Sequence, residues 1–249
     1  MSPSRDLPRV LALPYLVYAL VLFLVLALAV LVLILPVPSL ALRRRMVRRA
    51  ARIWLALAGL RLAVLNPHYL PAGASIVVAN HSSYLDGVVM CAALPPAFGF
   101  VIKREMSRVP LANTLLRRIG AHYVDRGQGQ KGARDTRKLL KRASSGGALA
   151  FFPEGTFGRQ PGLMPFRSGA FLVAARARLD IVPVAIRGTR AALPPGSLWL
   201  QPGRIEVELA PVQPAPASTQ EGDVGAARDR ARGAILERIP EPDLLHSRP

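Results

Sequence analysis

Cysteine is nearly missing from this chain of 249 residues, in which Cys91 stands alone. A single cysteine excludes an internal disulfide framework and a cysteine-rich zinc site. Nothing around Cys91 marks a nucleophile, so it reads as a small buried hydrophobe. Aromatic residues are scarce at 6%, too few for the stacking platforms that hold single-stranded nucleic acid. Acidic residues are short too, 15 against 33 Lys and Arg, for a net charge of +18. That excess favours an anionic partner, either nucleic acid or the anionic face of a membrane, and the position of the charges decides between them. None of the four histidines has partners at zinc-ligand spacing. There is no G-x-S-x-G nucleophile elbow and no internal repeat.

Apolar residues, in contrast, reach 51%, with a mean hydropathy of +0.29. The length accommodates one sizeable α/β domain plus a membrane segment, or two small domains. Tyr15 to Leu35 is a run of 21 residues without a charge, bracketed by Pro14 and Pro36. As a helix it reaches roughly 30 Å, enough to cross the hydrocarbon core of a bilayer. A signal peptide is the rival reading, with Ser39-Leu40-Ala41 as a faint cleavage site. The run is longer than the roughly 7–15 residues of a signal's apolar region. Arg43, Arg44, Arg45, Arg48, Arg49 and Arg52 also follow at once, and by the positive-inside rule they keep the downstream chain on the cytoplasmic face of the inner (plasma) membrane. A retained anchor is therefore preferred. From Leu42 to Leu60 the arginines give way to Ile53, Trp54, Leu55, Leu57 and Leu60. This predicts a second helix in the headgroup layer, its arginines meeting lipid phosphates. Whether the two segments span the bilayer or form a hairpin dipping into one leaflet is open at this level.

After Arg61 short apolar runs alternate with helical patterns. Strands are expected at Leu62–Leu65, Ser75–Ala79, Phe98–Ile102, His122–Val124, Ala148–Phe152, Ile181–Ile186 and Arg204–Leu209. Helices are expected near Leu85–Ala93, Pro110–Ile119, Lys131–Ala143 and Gly169–Arg178. That alternation argues for an α/β domain, a largely parallel sheet flanked by helices. Three segments result: 1–61 as membrane anchor and basic interfacial helix, 62–210 as the α/β domain, and 211–249 as a Pro/Ala-rich linker with a final helix over Glu221–Ile239.

The chemistry gathers where strands end. Ser75–Ala79 empties into Asn80-His81-Ser82-Ser83-Tyr84-Leu85-Asp86, and loops at the carboxyl ends of strands in open α/β sheets are where ligand crevices form. A histidine that takes a proton from a hydroxyl needs its other ring nitrogen donating to a fixed acceptor, and Asp86 can be that acceptor. Alone, the pair reads equally well as a loop histidine beside a helix-capping aspartate. Phe152-Pro153-Glu154-Gly155-Thr156 follows another apolar run, on the same sheet edge. Gly155 permits close backbone approach to a ligand, and Glu154 suits a substrate hydroxyl or a basic side chain. Gly120-Ala121-His122-Tyr123-Val124-Asp125-Arg126 sets Arg126 just past a strand, where a guanidinium can grip a phosphate. In Ile181-Val182-Pro183-Val184-Ala185-Ile186 the proline suits an edge strand or a bend.

In this order the four blocks resemble the glycerolipid acyltransferase family that includes the 1-acyl-sn-glycerol-3-phosphate (lysophosphatidic acid) acyltransferases. The matches are Asn80-His81 with Asp86, Gly120 with Arg126, Phe152 to Thr156, and Val182-Pro183-Val184. Lys103-Arg104-Glu105 and Phe166-Arg167-Ser168-Gly169 fit two further elements. The resemblance covers about Leu62 to Leu209 and departs at one point. The family often continues F-P-E-G-T with Arg-Ser, whereas Phe157 and Gly158 stand here and the next basic residue is Arg159.

The resemblance implies acyl transfer from a thioester, acyl-CoA or acyl carrier protein as co-substrate, to the hydroxyl of a lysophospholipid held at a bilayer, with no metal or other cofactor and no nucleic acid. It implies His81 as base and Asp86 as its orienter, with oxyanion donors among the main-chain N–H groups of the Gly155 loop or near Ser82. Lys103, Arg126, Glu154, Gly155, Thr156 and Arg159 become candidate substrate contacts. Three readings compete with transfer to lysophosphatidate: transfer to another lysolipid such as a lyso-ornithine lipid, a serine hydrolase or thioesterase using Ser82 or Ser83, and a non-enzymatic basic membrane scaffold.

Overall fold

The structure is a computed structural model that describes residues 9–125 and 130–245. Its first element, α1 (Arg9–Ile34), is 26 residues long. Pro14 lies inside this helix rather than ahead of it, in the second turn, where a missing N–H removes only one ladder bond. Ser39, the faint cleavage site of the sequence, caps α2 (Leu40–Leu57), its hydroxyl accepting from the Leu42 N–H. The two helices form an antiparallel hairpin. Tyr15 donates to the Ala58 carbonyl at 2.6 Å, Trp54 to the Ala19 carbonyl at 3.0 Å, and Phe23 meets Trp54 edge-on.

Seven strands follow among the described residues, β1 (Leu60–Leu65), β2 (Ile76–Ala79), β3 (Gly99–Lys103), β4 (His122–Val124), β5 (Leu149–Phe151), β6 (Ile181–Arg187) and β7 (Gly203–Leu209). They form one sheet in the order β1-β7-β6-β2-β5-β3-β4. The expected strands are all present, their ends shifted by two residues at most. From β6 to β4 every pairing is parallel, while β7 runs antiparallel to β6 and carries β1 with it. The sheet is largely parallel with one reversal, and β2, β3, β4, β5 and β6 all deliver their carboxyl ends to one edge.

β2 is buried at every position, and its residues divide by the period of two between two cores. Val77 and Ala79 face a cluster with Trp54, Leu55, Val89 and Met90. Ile76 and Val78 face another with Phe171, Val173, Ala227 and Ile235. The first core is covered by α2 and α3 (Asp86–Ala93), the second by α5 (Gln130–Ser144), α6 (Gly169–Ala177) and α8 (Glu221–Leu236). The stretch expected as a linker runs back along β6, with Ile181 and Gln213 exchanging main-chain bonds, and α8 places Val224, Ala227, Ala231 and Ile235 in the core. Pro183 corrects an expectation, because β6 is an interior strand and not an edge. Between the pairs Val184↔Leu209 and Ile181↔Gln213 the neighbouring chain carries one extra residue. That bulge lies opposite the nitrogen with no hydrogen to give.

The arginines of α2 also have partners the sequence did not indicate. Arg44 is 8% exposed and donates to the carbonyls of Ile119 (2.8 Å), Ala97 (2.9 Å), Pro96 (3.2 Å) and Gly120 (3.4 Å). Arg48 and Arg52 bond the Ala92 and Ala93 carbonyls at the end of α3. Arg43 bonds the Arg118 carbonyl at the end of α4 (Pro110–Arg118). Four guanidiniums thus satisfy the orphan carbonyls at helix carboxyl ends, where a cation also meets the negative pole of the helix dipole. Only Arg45 and Arg49 of the six remain exposed and without a bond among the described residues. Burial pushes Arg44 down to about 10; it stays a cation at neutral pH.

Replacing Arg44 by Met strips several buried carbonyls of their donor and is expected to cost on the order of 1–3 kcal/mol or more. Arg45→Met should change stability by less than about 0.5 kcal/mol. Thermal unfolding of both variants in detergent checks this, and equal effects would mean that Arg44 does not fasten the hairpin.

Candidate functional site

The site begins where β2 ends. The β2–β6 ladder reaches Ala79↔Val184. One residue on, the Asn80 carboxamide continues the pairing with its side chain. Its Oδ1 accepts from the Ile186 N–H at 2.7 Å, and its Nδ2 donates to the Ile186 carbonyl at 3.0 Å. Asn80 is 3% exposed, so these bonds fix the point at which the chain leaves the sheet.

The chain then turns around a single carboxylate oxygen. Asp86 opens α3 and is fully buried. Its Oδ2 accepts from the N–H groups of Ser82 at 2.7 Å and Ser83 at 2.8 Å, and lies 2.8 Å from His81 Nδ1. Three N–H groups thus converge on one oxygen at the amino terminus of the helix, and that oxygen is their common acceptor. An ionised carboxylate can only accept, so Nδ1 carries the imidazole proton and Nε2 presents a lone pair. Nε2 has no partner among the described residues. The serine hydroxyls are engaged elsewhere, Ser82 with Thr189 Oγ1 and Ser83 with the Leu193 carbonyl.

Two phenylalanines hold the ring. Phe152 stacks on it with centroids 4.3 Å apart, and Phe157 meets it edge-on at 4.4 Å. Phe157 in turn touches the exposed Tyr84. Phe157 is the residue at which the sequence leaves the family pattern, and here it packs where a cation was expected. Neither aromatic contact was read from the sequence; the only available signal was that departure.

Glu154 joins the two loops. It is 4% exposed, with Oε1 accepting from the His81 N–H at 2.6 Å and Oε2 from the Met164 N–H at 2.9 Å. Both oxygens are therefore occupied by main-chain donors. Burial pushes this carboxyl up to about 8, against the lowering by those two N–H groups. Behind the loop, Arg190 pairs with Glu241 and donates to the carbonyls of Gly158 and Arg159, while Glu241 also accepts from the Gly162 N–H. Gly155 sits at φ +81, a conformation other residues adopt at a cost.

His81, Asp86, Glu154 and Gly155 thus form one bonded cluster. Thr156 and Arg159 lie exposed on the same loop. Lys103 is on the same edge at the end of β3, half-exposed and paired with Glu105 at 3.0 Å. Arg126 lies outside the described residues. The N–H groups of His81, Ser82 and Ser83 go to carboxylates and that of Gly155 goes to the Phe152 carbonyl. Those of Thr156, Phe157 and Gly158 keep no protein acceptor among the described residues. No group of three His, Cys, Asp or Glu side chains gathers as a metal site among the described residues. Chemically, the cluster is an oriented imidazole base beside a loop with unoccupied main-chain donors.

Known proteins resemble this chain. The Acyltransferase family profile matches residues 61–187. A 1-acyl-sn-glycerol-3-phosphate acyltransferase of Chlamydomonas reinhardtii is 30% identical over 69% of this chain and 50% of its own length. One of Saccharomyces cerevisiae is 29% identical over 74% of this chain and 61% of its own. The human alpha form is 28% identical, with 72% and 63% covered. The chain therefore spans about half to three fifths of these relatives. The crystal structure of the LPA acyltransferase PlsC from Thermotoga maritima superposes with a TM-score of 0.77 at 18% identity, over 92% of this chain and 97% of that one, and shows the same fold.

The Glu154 carboxyl gives a pH test. Its folded value of about 8 lies above the ordinary 4.5, so the folded state holds the extra proton. The stability it contributes is complete below pH 4.5 and is lost as pH rises through about 8. Glu154→Gln keeps the shape but not the titration, and leaves one N–H facing an amide NH₂. The gap in melting temperature between wild type and Glu154→Gln is expected to narrow from pH 5 to pH 9; a constant gap would contradict the raised value.

Proposed function

Because the chain belongs to the Acyltransferase family, we propose that it moves a fatty acyl group from a thioester to the free hydroxyl of a lysophospholipid at a membrane, with His81 and Asp86 as its base. The observation that carries this reading is the His81 Nδ1–Asp86 Oδ2 contact of 2.8 Å, with Nε2 left free at the edge of the sheet.

Nε2 takes the proton of the acceptor hydroxyl as its oxygen attacks the thioester carbonyl carbon. The C–O bond forms, and the carbonyl oxygen becomes an oxyanion met by the unoccupied N–H groups of Thr156 and Phe157. Collapse of this intermediate breaks the C–S bond, and the thiolate of coenzyme A or acyl carrier protein leaves with the proton held by His81. Asp86 remains ionised throughout and stabilises the imidazolium. The serine hydrolase reading loses support because both hydroxyls are buried and bonded away from Nε2.

For the acceptor we favour 1-acylglycerol-3-phosphate, giving phosphatidic acid. Lys103 and Arg159 are exposed cations that could meet its phosphate, Arg126 is the third candidate by sequence alone, and the names of the relatives support this acceptor. One observation favours another lysolipid, such as a lyso-ornithine lipid. Phe157 covers His81 where the family pattern often supplies an arginine, so one phosphate contact is missing from the loop. Glu154 acts in either case by fixing the loop that carries His81.

The hairpin supplies the membrane. α1 contains a stretch of 24 residues long and apolar enough to cross a bilayer. It packs along α2, whose arginines are fastened to the domain. This favours α1 lying in one leaflet, on the cytoplasmic side, over leaving the domain to span.

His81→Ala is expected to lower acyl transfer by roughly 10²–10⁴-fold while the protein still folds and binds vesicles. Radiolabelled acyl-CoA with a panel of lysolipids in detergent measures both the loss and the acceptor preference. Substantial transfer by the variant would refute the base assignment.

A further inference from the structure

The chain between α7 (Thr189–Ala192) and β7 forms a short finger beside the site. Its base is closed by the Gln201 N–H donating to the Ala192 carbonyl at 2.7 Å. Inside it, the Ser197 N–H bonds the Pro194 carbonyl at 3.0 Å and the Trp199 N–H bonds Ser197 Oγ at 3.0 Å. Leu200 is buried in the first core. The finger is thus a fastened structure, yet its tip places two large apolar side chains in water. Leu198 is 78% exposed, the most of any large hydrophobic residue described, and Trp199 is 49% exposed. A folded element that points Leu and Trp outward marks a contact surface.

Three neighbours indicate what that surface meets. The Leu193 carbonyl at the finger's base accepts from Ser83 of the His81 loop, so the finger borders the site. Pro202 and Gly203 close against Gly59, at the end of α2, where Gly203 donates to the Gly59 carbonyl. That end of the hairpin carries the exposed Leu57, Tyr18 and Leu11, so these apolar side chains and the root of the finger belong to one end of the molecule. The Arg159 guanidinium lies over Gly196 and has no acidic partner among the described residues. Tryptophan and leucine with arginine beside them make the pattern of a segment seated at the headgroup boundary.

We propose that the Leu198–Trp199 finger is a second membrane contact, inserted at the headgroup boundary of the same leaflet as α1, with Arg159 on lipid phosphates. It gives the domain a second point of attachment beside the site, through the finger that bonds the His81 loop. One helix leaves the domain free to rotate about that helix; two contacts fix the tilt at which His81 faces the bilayer. The proposal rests on the reading of α1 as membrane-embedded.

Trp199 reports on itself, since the chain has two tryptophans and Trp54 is buried in the hairpin. The test uses the full chain with Trp54→Phe and vesicles of phosphatidylcholine and phosphatidylglycerol. Flotation with the vesicles monitors the hairpin, and Trp199 emission monitors the finger. The expected result is flotation together with a shift of emission to shorter wavelength and quenching by lipids brominated near the headgroup. If Trp54→Phe misfolds, the difference between wild type and Trp199→Phe gives the same spectrum with Trp54 intact. Flotation with an unshifted, acrylamide-accessible Trp199 overturns the finger alone, whereas failure to float overturns the embedded hairpin and the finger with it. A shift that needs no vesicles and grows with protein concentration also overturns it, in favour of a second copy of the chain.

Discussion

One carboxylate oxygen holds the site together. Asp86 Oδ2 draws in the N–H groups of Ser82 and Ser83 and the Nδ1 of His81, all within 2.8 Å. Without it the turn from β2 into α3 has no centre, and the imidazole has neither fixed tautomer nor fixed direction. The surroundings serve that arrangement. Asn80 ends the strand at a defined residue by bonding across to Ile186, and Glu154 takes the His81 N–H from the opposite loop. Phe152 and Phe157 then leave the ring little room to turn. Each contact constrains a different degree of freedom of one side chain.

The basic hairpin follows a similar economy. Its arginines first complete the protein, since Arg43, Arg44, Arg48 and Arg52 bond main-chain carbonyls at the ends of α3 and α4 and in the loops beside them. A net charge of +18 therefore overstates what is available to an outside anion. The same bonds join the apolar helix to the domain that carries the site, so the place of that helix sets the place of the site. This favours a site held at the bilayer surface, within reach of a lipid hydroxyl that cannot leave the membrane.

Much of this was legible in the sequence because it depends on periodicity and on chain direction. A buried β-branched run such as Ile76–Ala79 can be little else than an interior strand, and parallel strands must bring their terminal loops to one edge. His81 and Glu154 were placed near one another on that ground alone. What escaped depends on partners distant in sequence. Arg44 and its carbonyl partners Ile119 and Gly120 are 75 and 76 residues apart, and no local pattern distinguishes a guanidinium that caps a helix from one that meets a lipid. Pro183 suggested an edge because the local rule concerns the strand itself, while the bulge that accommodates it belongs to the neighbouring chain. The reversal of β7 was equally unreadable, for its alternation is the same in either direction. The grip of Phe157 on His81 needed the conformation of a loop held by Arg190 and Glu241, residues that carry no motif.

The central claim is that His81 and Asp86 act as one base. It is tested most directly by a double-mutant cycle on acyl-transfer rate with His81→Ala, Asp86→Asn and the pair together. If Asp86 works only by orienting and stabilising His81, its substitution costs nothing further once His81 is gone, and the double variant is no slower than His81→Ala. If the two losses multiply, the residues act independently and the pairing seen at 2.8 Å is not the catalytic unit.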